Sequence, residues 1–226
     1  SSLIFNHFSK SLDSIGLIES FQLFGQIYTR IGDFKKALDN TQEAFNIAGS
    51  IGLQIKIAEL ARETGNIYFY FNEKAIALDF YQKSLKISEE NKDRDGIAKA
   101  YNNMGRLYSE LGNSSLALEC LKKSLTFKIK EEDRVSYGNS LLNIGTVYLK
   151  ANEYDKALAY LDEAFNDFSF VNNAEGMANS LYYSGLTYFS KGGYNQALTI
   201  QNKAWNIASE TDSKRLLVSI SLALSE

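Results

Sequence analysis

Proline is missing from all 226 positions of this chain, although it makes up about 5% of an average protein. Inside a helix, proline removes a hydrogen bond and clashes with the preceding turn, so its absence leaves room for long uninterrupted helices. Cysteine occurs once, at Cys120, so no internal disulfide can form and nothing points to an oxidising compartment. Histidine also occurs once, at His7, which excludes a His-based triad and any multi-histidine metal site and leaves a surface or packing role. A strong charge of one sign is lacking too: 24 Lys and Arg against 27 Asp and Glu give a net charge of -3. The short basic stretch Lys122, Lys123, Lys128, Lys130 runs directly into Glu131, Glu132 and Asp133, so no cationic field exists for a polyanion and no nucleic-acid partner is expected. No apolar run approaches the roughly 20 residues that cross a bilayer, and the opening SSLIFNHFSK lacks the pattern of a signal peptide. A cytoplasmic domain without membrane contact is expected. The opening Ser-Ser, where a complete chain would carry methionine, suggests a fragment of a longer protein.

What the chain does have is a repeat. An apolar fraction of 45% with 23% charged residues fits a globular protein. Five glycines, Gly25, Gly65, Gly105, Gly145 and Gly185, stand 40 residues apart. Three residues after each comes a tyrosine (Tyr28, Tyr68, Tyr108, Tyr148, Tyr188), and twelve after it an alanine (Ala37, Ala77, Ala117, Ala157, Ala197). Seven after it stand Gly32, Asn72, Gly112, Asn152 and Gly192, the residue types that tolerate the left-handed conformation ending a helix. Apolar spacing on both sides of this turn is helical, as in Leu107, Tyr108 and Leu111 before it and Leu116, Leu118, Leu121 and Leu125 after it. Each repeat reads as a helical hairpin. Glycine and alanine leave room for the two helices to approach, while tyrosine fills the adjoining groove. A single hairpin cannot bury its apolar face alone, so stability must come from stacking on neighbours.

Gly-x-x-Tyr followed nine residues later by Ala, as in GRLYSELGNSSLA and GTVYLKANEYDKA, resembles the tetratricopeptide repeat over residues 16 to 210. Two features depart from that family: its usual period is about 34 residues, and the proline that ends its second helix is absent here. Six extra residues per repeat add up to about 9 Å of helix or loop at about 1.5 Å per residue. This longer variant is similar to arrays in bacterial signalling proteins and to peptide-binding arrays of cell-polarity adaptors. The resemblance implies an all-α, right-handed superhelical solenoid of stacked antiparallel hairpins. The expected division is 1–15, the end of a preceding repeat and its loop; 16–55, 56–95, 96–135, 136–175 and 176–212, five repeats; and 213–226, the first helix of a sixth or a cap. Uncapped ends of such an array could also associate with one another.

Residues with chemical potential each have a plainer reading. Cys120 falls in a mostly apolar column with Asn40, Phe80, Tyr160 and Ile200 and is expected to be a partly buried packing residue. Trp205 aligns with Phe45, Leu85, Leu125 and Phe165 and is expected in the core column, away from any exposed patch. Asn91, Asp93, Asp95 and Gly96 match the first half of a calcium loop, but the twelfth position is Asn102 instead of glutamate, and Lys92 and Arg94 stand between the would-be ligands. Asn113-Ser114-Ser115 lies in a hairpin turn, and the pairs Glu89/Glu90 and Glu131/Glu132 lack apolar surroundings. No metal, cofactor or catalytic constellation is expected, and the chain does not read as an enzyme.

In the family, first helices line the inner, concave wall through the positions six, three and two before the glycine and one, four and five after it. Carried over to this chain, those columns hold Arg62, Asn66, Lys99, Asn102, Asn103, Arg106, Asn139, Asn143, Asn179 and Tyr182. Asparagine offers both donor and acceptor, so such a ladder can bind the backbone of an extended peptide whatever its side chains; the alternative is a solvated polar face. Against the carboxylate-clamp members, which hold acidic C-terminal tails of chaperones, Arg62, Asn66 and Asn103 fit three places with arginine for lysine. The remaining two places, both cationic in the clamp, are Asn139 and Asn143, which removes that positive charge and favours a weakly acidic or neutral peptide. Toward the C-terminal end the columns turn apolar, with Leu142, Leu149, Tyr182, Tyr183, Leu186 and Phe189, either to receive apolar side chains or to be covered by a further hairpin. The resemblance implies a scaffold that binds a protein or peptide in its groove. A sensory domain for a signalling peptide, coupled to a kinase, cyclase or DNA-binding effector, is the alternative.

Overall fold

The computed structural model describes the backbone of residues 2–130, 132–211 and 214–225 and the side chains of residues 13–130, 132–211 and 216–224. The His7 side chain and Glu131 lie outside this set. The described residues form helices joined by short turns and no strands: α1 (Ser2–Ile31), α2 (Phe34–Ser50), α3 (Gln54–Tyr70), α4 (Lys74–Glu90), α5 (Arg94–Glu110), α6 (Ser114–Phe127), α7 (Arg134–Lys150), α8 (Tyr154–Phe170), α9 (Ala174–Ser190), α10 (Tyr194–Ser209) and α11 (Lys214–Ser225). The all-α expectation holds. From α3 onward, each odd-numbered helix starts forty residues after the previous one.

Hairpins end on the residues expected. Gly32 (φ 81°) and Asn72 (φ 66°) take the left-handed conformation, where a side chain with a Cβ is strained unless it is short and polar. The Asp33 N–H then donates to the Tyr28 carbonyl at 2.9 Å and the Gly32 N–H to that of Thr29 at 3.2 Å, which satisfies the last carbonyls of α1. Asp33 goes on to cap α2 by accepting from the Lys36 N–H.

The chain divides into two compact units, Ser1–Leu107 and Tyr108–Glu226. In the first, α1 packs on α2, α3 on α4, and α2 on α3. Its core cluster joins Ile18, Ala44, Ala48 and Leu60, flanked by Phe21 and Phe45. Close approach depends on the small residues: a Cβ on Gly65 would come within 2.5 Å of the Tyr81 ring and 3.2 Å of the Ala77 carbonyl oxygen. Tyr68 fills the neighbouring space, its ring 5.6 Å from that of Phe80 and nearly parallel to it.

In the second unit α7 pairs with α8 and α9 with α10, while α11 lies on α10. The same packing rule operates, since a Cβ on Gly145 would meet Leu161 at 2.7 Å and the Ala157 carbonyl oxygen at 3.3 Å, with Tyr148 stacked on Tyr160 at 5.5 Å. Leu121, Ile144 and Val147 complete that cluster, and Ala178, Ala204, Ala208, Leu216 and Ile220 form another beneath α11. Phe168, 1% exposed, fills the space that Gly138 and Gly176 leave open. Helix α6 is shorter than its counterparts, and the connection after it is irregular. There Lys130 (3.0 Å) and Arg134 (2.9 Å) both reach Asp167, a buried carboxylate in a column otherwise made of Ile47, Ile87, Phe127 and Ile207.

Three expectations are corrected. No loop closes within residues 1–15, because α1 runs unbroken from Ser2; the turn position held by Gly52, Lys92 and Asn172 in later repeats is Leu12, a poor left-handed residue. The boundaries at 56, 96, 136 and 176 fall two residues inside α3, α5, α7 and α9, because capping residues such as Asp133 and Asn173 start those helices earlier. Trp205 is 37% exposed: its column lies along one edge of the second helices, where Phe45, Leu85, Leu125 and Phe165 are only half-buried, and an indole is too large to be covered there.

Candidate functional site

Polar side chains from α1, α3, α4 and α5 meet in the first unit. The Tyr81 hydroxyl on α4 donates to the Asn66 side-chain oxygen on α3 at 2.9 Å, and the Asn103 side-chain amide on α5 donates to that same oxygen, also at 2.9 Å. Asn103 is only 8% exposed. This arrangement fixes both amides and leaves the Asn66 nitrogen and the Asn103 oxygen out of the pair. Burial pushes the Tyr81 phenol well up, while the nearby Arg106 and Arg62 guanidiniums oppose that shift. Arg106 sits over the Phe69 ring at 5.3 Å. Neither Arg62 nor Arg106 is ion-paired among the described residues.

Beside this group, α1 and α3 share a second network. Gln22 donates to Glu63 at 3.2 Å and Gln26 donates to its other oxygen at 2.9 Å; Gln22 in turn accepts from Lys56, which pairs with Glu59 at 2.7 Å. Burial pushes the Glu63 carboxyl up, against the pull of these amides and of Arg62. Burial acts in the same sense on Glu59, but Lys56, with help from Gln22 and Arg62, outweighs it and holds that carboxyl below its ordinary value. Gln22, Gln26, Glu59 and Glu63 belong to the same columns as the asparagines, yet amide counting passes over them. Tyr81 stands sixteen residues after its glycine, in the column Thr41, Tyr81, Leu121, Leu161, Gln201, and only that alternation of polar and apolar types signals it.

Of the other expected site residues in the first unit, Lys99 is tied to Asp95 at 2.6 Å and Asn102 is half-buried. In the second unit Asn139 is exposed, and Asn143 is half-buried. Asn179 donates to the Glu175 carbonyl of its own helix at 3.0 Å. Tyr182 meets Tyr183 edge-on at 5.0 Å and packs on the cluster under α11, so its ring serves the core. Leu142 and Leu149 also pack onto core clusters.

The candidate calcium loop is a turn and cap: Lys92 is left-handed (φ 55°), and the Asp93 side chain accepts from the Gly96 N–H at 3.0 Å. Among the described residues no group of His, Cys, Asp or Glu is placed to hold a metal ion, and no helix is long and apolar enough to cross a membrane. Cys120 is buried, and burial pushes its thiol up, away from the reactive thiolate.

Two family profiles described as tetratricopeptide repeat match residues 56–130 and 138–167. No curated protein matches the chain in sequence. Solved structures with a similar fold include BtubC (BKLC) from P. vanneervenii, 18% identical, covering 91% of this chain and 85% of that one with a TM-score of 0.76. A Rap protein complexed with Competence and Sporulation Factor is 15% identical over 90% of this chain and 57% of its own, with a TM-score of 0.80. Aspartyl phosphate phosphatase F from Bacillus subtilis is 15% identical over 99% of this chain and 58% of its own, again at 0.80. The chain thus spans somewhat over half the length of the latter two, and at these identities the likeness is one of fold.

Proposed function

We propose, from the chain's membership of the tetratricopeptide repeat family, that it is a scaffold whose first unit binds an extended, carboxylate-bearing peptide segment. One observation carries this reading: the Asn66–Asn103 amide pair is held by Tyr81, whose phenol feels the Arg106 and Arg62 guanidiniums, and neither arginine is in an ion pair among the described residues. A locked amide pair with one nitrogen and one oxygen to spare can bond a peptide's C=O and N–H, and arginine supplies forked donors for a carboxylate. Because the amides are already ordered by the fold, binding loses little side-chain entropy. Lys99, held by Asp95, contributes charge only after that pair opens.

Regulation by a signalling peptide is the second reading, favoured by the fold shared with a Rap protein that was solved in complex with Competence and Sporulation Factor. In that reading, peptide binding in the first unit is relayed to an effector domain elsewhere in the parent protein. Both readings are tested by panning ten-residue peptides with free C-termini against the full chain. Enrichment of Asp, Glu or a required terminal carboxylate is expected. A binder set that is basic, or indifferent to acidic groups, would remove the carboxylate reading.

A further inference from the structure

In the second unit α8 and α10 both pack on α9, and side chains of all three helices line a cavity of about 400 Å³. Two differences from the other repeats keep it open. At the place of Ser184 on α9, the odd-numbered helices before it carry Thr64, Met104 and Ile144, all buried. Ser184 is the smallest of the four, and the cavity lies against it. In the first unit the Lys83 ammonium also lies over the Phe45 ring at 5.4 Å. The equivalent residues here, Lys203 and Phe165, both line the cavity, and Lys203 makes no ring contact and no ion pair among the described residues. Asp162 lines the cavity from α8; it accepts from Asn166 at 3.4 Å and likewise has no cationic partner among the described residues. Both charges are exposed, whereas Phe165, Leu181 and Ile207, which give the lining its apolar part, are half-buried.

We propose that this cavity binds a free α-amino acid with a medium-sized apolar side chain, such as leucine or phenylalanine. Such a ligand joins one ammonium, one carboxylate and one apolar group. The lining holds a partner for each: the Asp162 carboxylate, the Lys203 ammonium with the Asn206 amide, and the surface of Phe165, Leu181 and Ile207. Asp162 and Lys203 stand on different helices and do not pair with each other, so both are available without a salt bridge having to break first. A fatty acid would leave the Asp162 charge unmatched, and an alkylamine would leave that of Lys203 unmatched. The volume lies toward the lower end of the range of small-ligand pockets, about 300 to 1,000 Å³. Because the two charges are solvated, burial of the apolar side chain supplies most of the affinity, and the charges supply the selectivity. Nothing in this site depends on the carboxylate site of the first unit.

The test is ligand-observed NMR titration of the full chain with phenylalanine, with N-acetylphenylalanine, which lacks the ammonium, and with phenylalanine amide, which lacks the carboxylate. Phenylalanine is expected to bind in the millimolar range, and each blocked form about three- to fivefold more weakly, the effect of one solvated charge contact. In Asp162→Asn the advantage over N-acetylphenylalanine should vanish, and in Lys203→Met the advantage over the amide. Both residues are exposed, so neither change disturbs the core. Ser184→Ile, which copies α7, should fill the cavity and abolish binding, with thermal melting to verify that it folds. A loss confined to one blocked form would point to a single-charge ligand such as a chain terminus and would overturn the free amino acid. Absence of phenylalanine binding, equal affinity for all three ligands, or binding that survives in a folded Ser184→Ile variant would overturn the proposal as well.

Discussion

The two units use one hairpin skeleton to present opposite chemistry. In the first unit the columns of the odd-numbered helices carry Gln22, Arg62, Glu63, Asn66, Asn103 and Arg106, with side-chain hydrogen bonds joining Gln22 to Glu63 and Asn103 to Asn66. In the second, the same columns carry Leu142, Leu149, Tyr182, Tyr183, Leu186 and Phe189, several of them packed onto core clusters. Yet the glycine–alanine contact and the tyrosine stack are alike at Gly65 and Gly145. The glycine, alanine and tyrosine positions thus keep one packing role in both units, while the columns beside them are hydrogen-bonded in the first unit and partly drawn into the core in the second.

The largest expected effect breaks the second unit's core. Phe168 stands where the first unit has Ala48 and Ser88, and Gly138 faces it where other repeats have Ala58, Ala98 and Ala178. Phe168→Ala should lose roughly 3 to 5 kcal/mol in chemical denaturation. Adding Gly138→Ala should restore about 0.5 to 1 kcal/mol, because it returns the pair to the small-on-small arrangement and removes a helix-interior glycine. Without that recovery, the ring and the glycine are not a matched pair. Next in size is Ala157→Leu, which forces extra atoms toward Gly145 at a cost of roughly 1 to 3 kcal/mol. An unchanged melting temperature would show that the two helices do not meet there.

Asparagines of the two units should then separate. Asn103→Ala removes a buried bond to Asn66 and should cost about 1 kcal/mol, whereas Asn139→Ala, at an exposed site, should stay within about 0.5 kcal/mol. Equal effects would erase the distinction between an ordered and a solvated amide.

The scaffold was legible because glycine, tyrosine, alanine and the turn residues recur at one spacing and each has a single steric role. Even the unbroken α1 had a signal, the leucine at position 12. The candidate site was harder to read. Asn66 and Asn103 bond across 37 positions, and the family resemblance assigns both to the expected inner columns without showing that they satisfy each other. Asp167 is the opposite case: an acid in a column of isoleucine and phenylalanine is visible, but its partners Lys130 and Arg134 lie in and just beyond an irregular connection that no periodicity describes. Trp205 was misread because its column is apolar in type but only half-covered in space.

The smallest effect concerns pH in the first unit. Burial raises the Glu63 carboxyl above its ordinary value of 4.5, so its ionisation opposes folding. The stability held by the protonated form is fully present below that ordinary value and is lost as pH rises through the raised one. Glu63→Gln cannot ionise, so its melting temperature relative to wild type should be more favourable at about pH 7 than at about pH 3.5. A difference that does not vary with pH would place Glu63 in a more solvated setting than its amide partners indicate.

The measurement closest to the central claim is calorimetric titration of the best panned acidic peptide into the wild type, Arg62→Ala, Arg106→Ala and Lys123→Ala. Lys123 lies in the second unit, exposed and paired with Glu119, and serves as the control. A charge-assisted hydrogen bond is worth about 1.5 to 3 kcal/mol, so each arginine variant should bind about tenfold more weakly or worse, while Lys123→Ala binds as wild type. Unchanged affinity in both arginine variants, or an equal loss in Lys123→Ala, would contradict a carboxylate-binding site on the first unit.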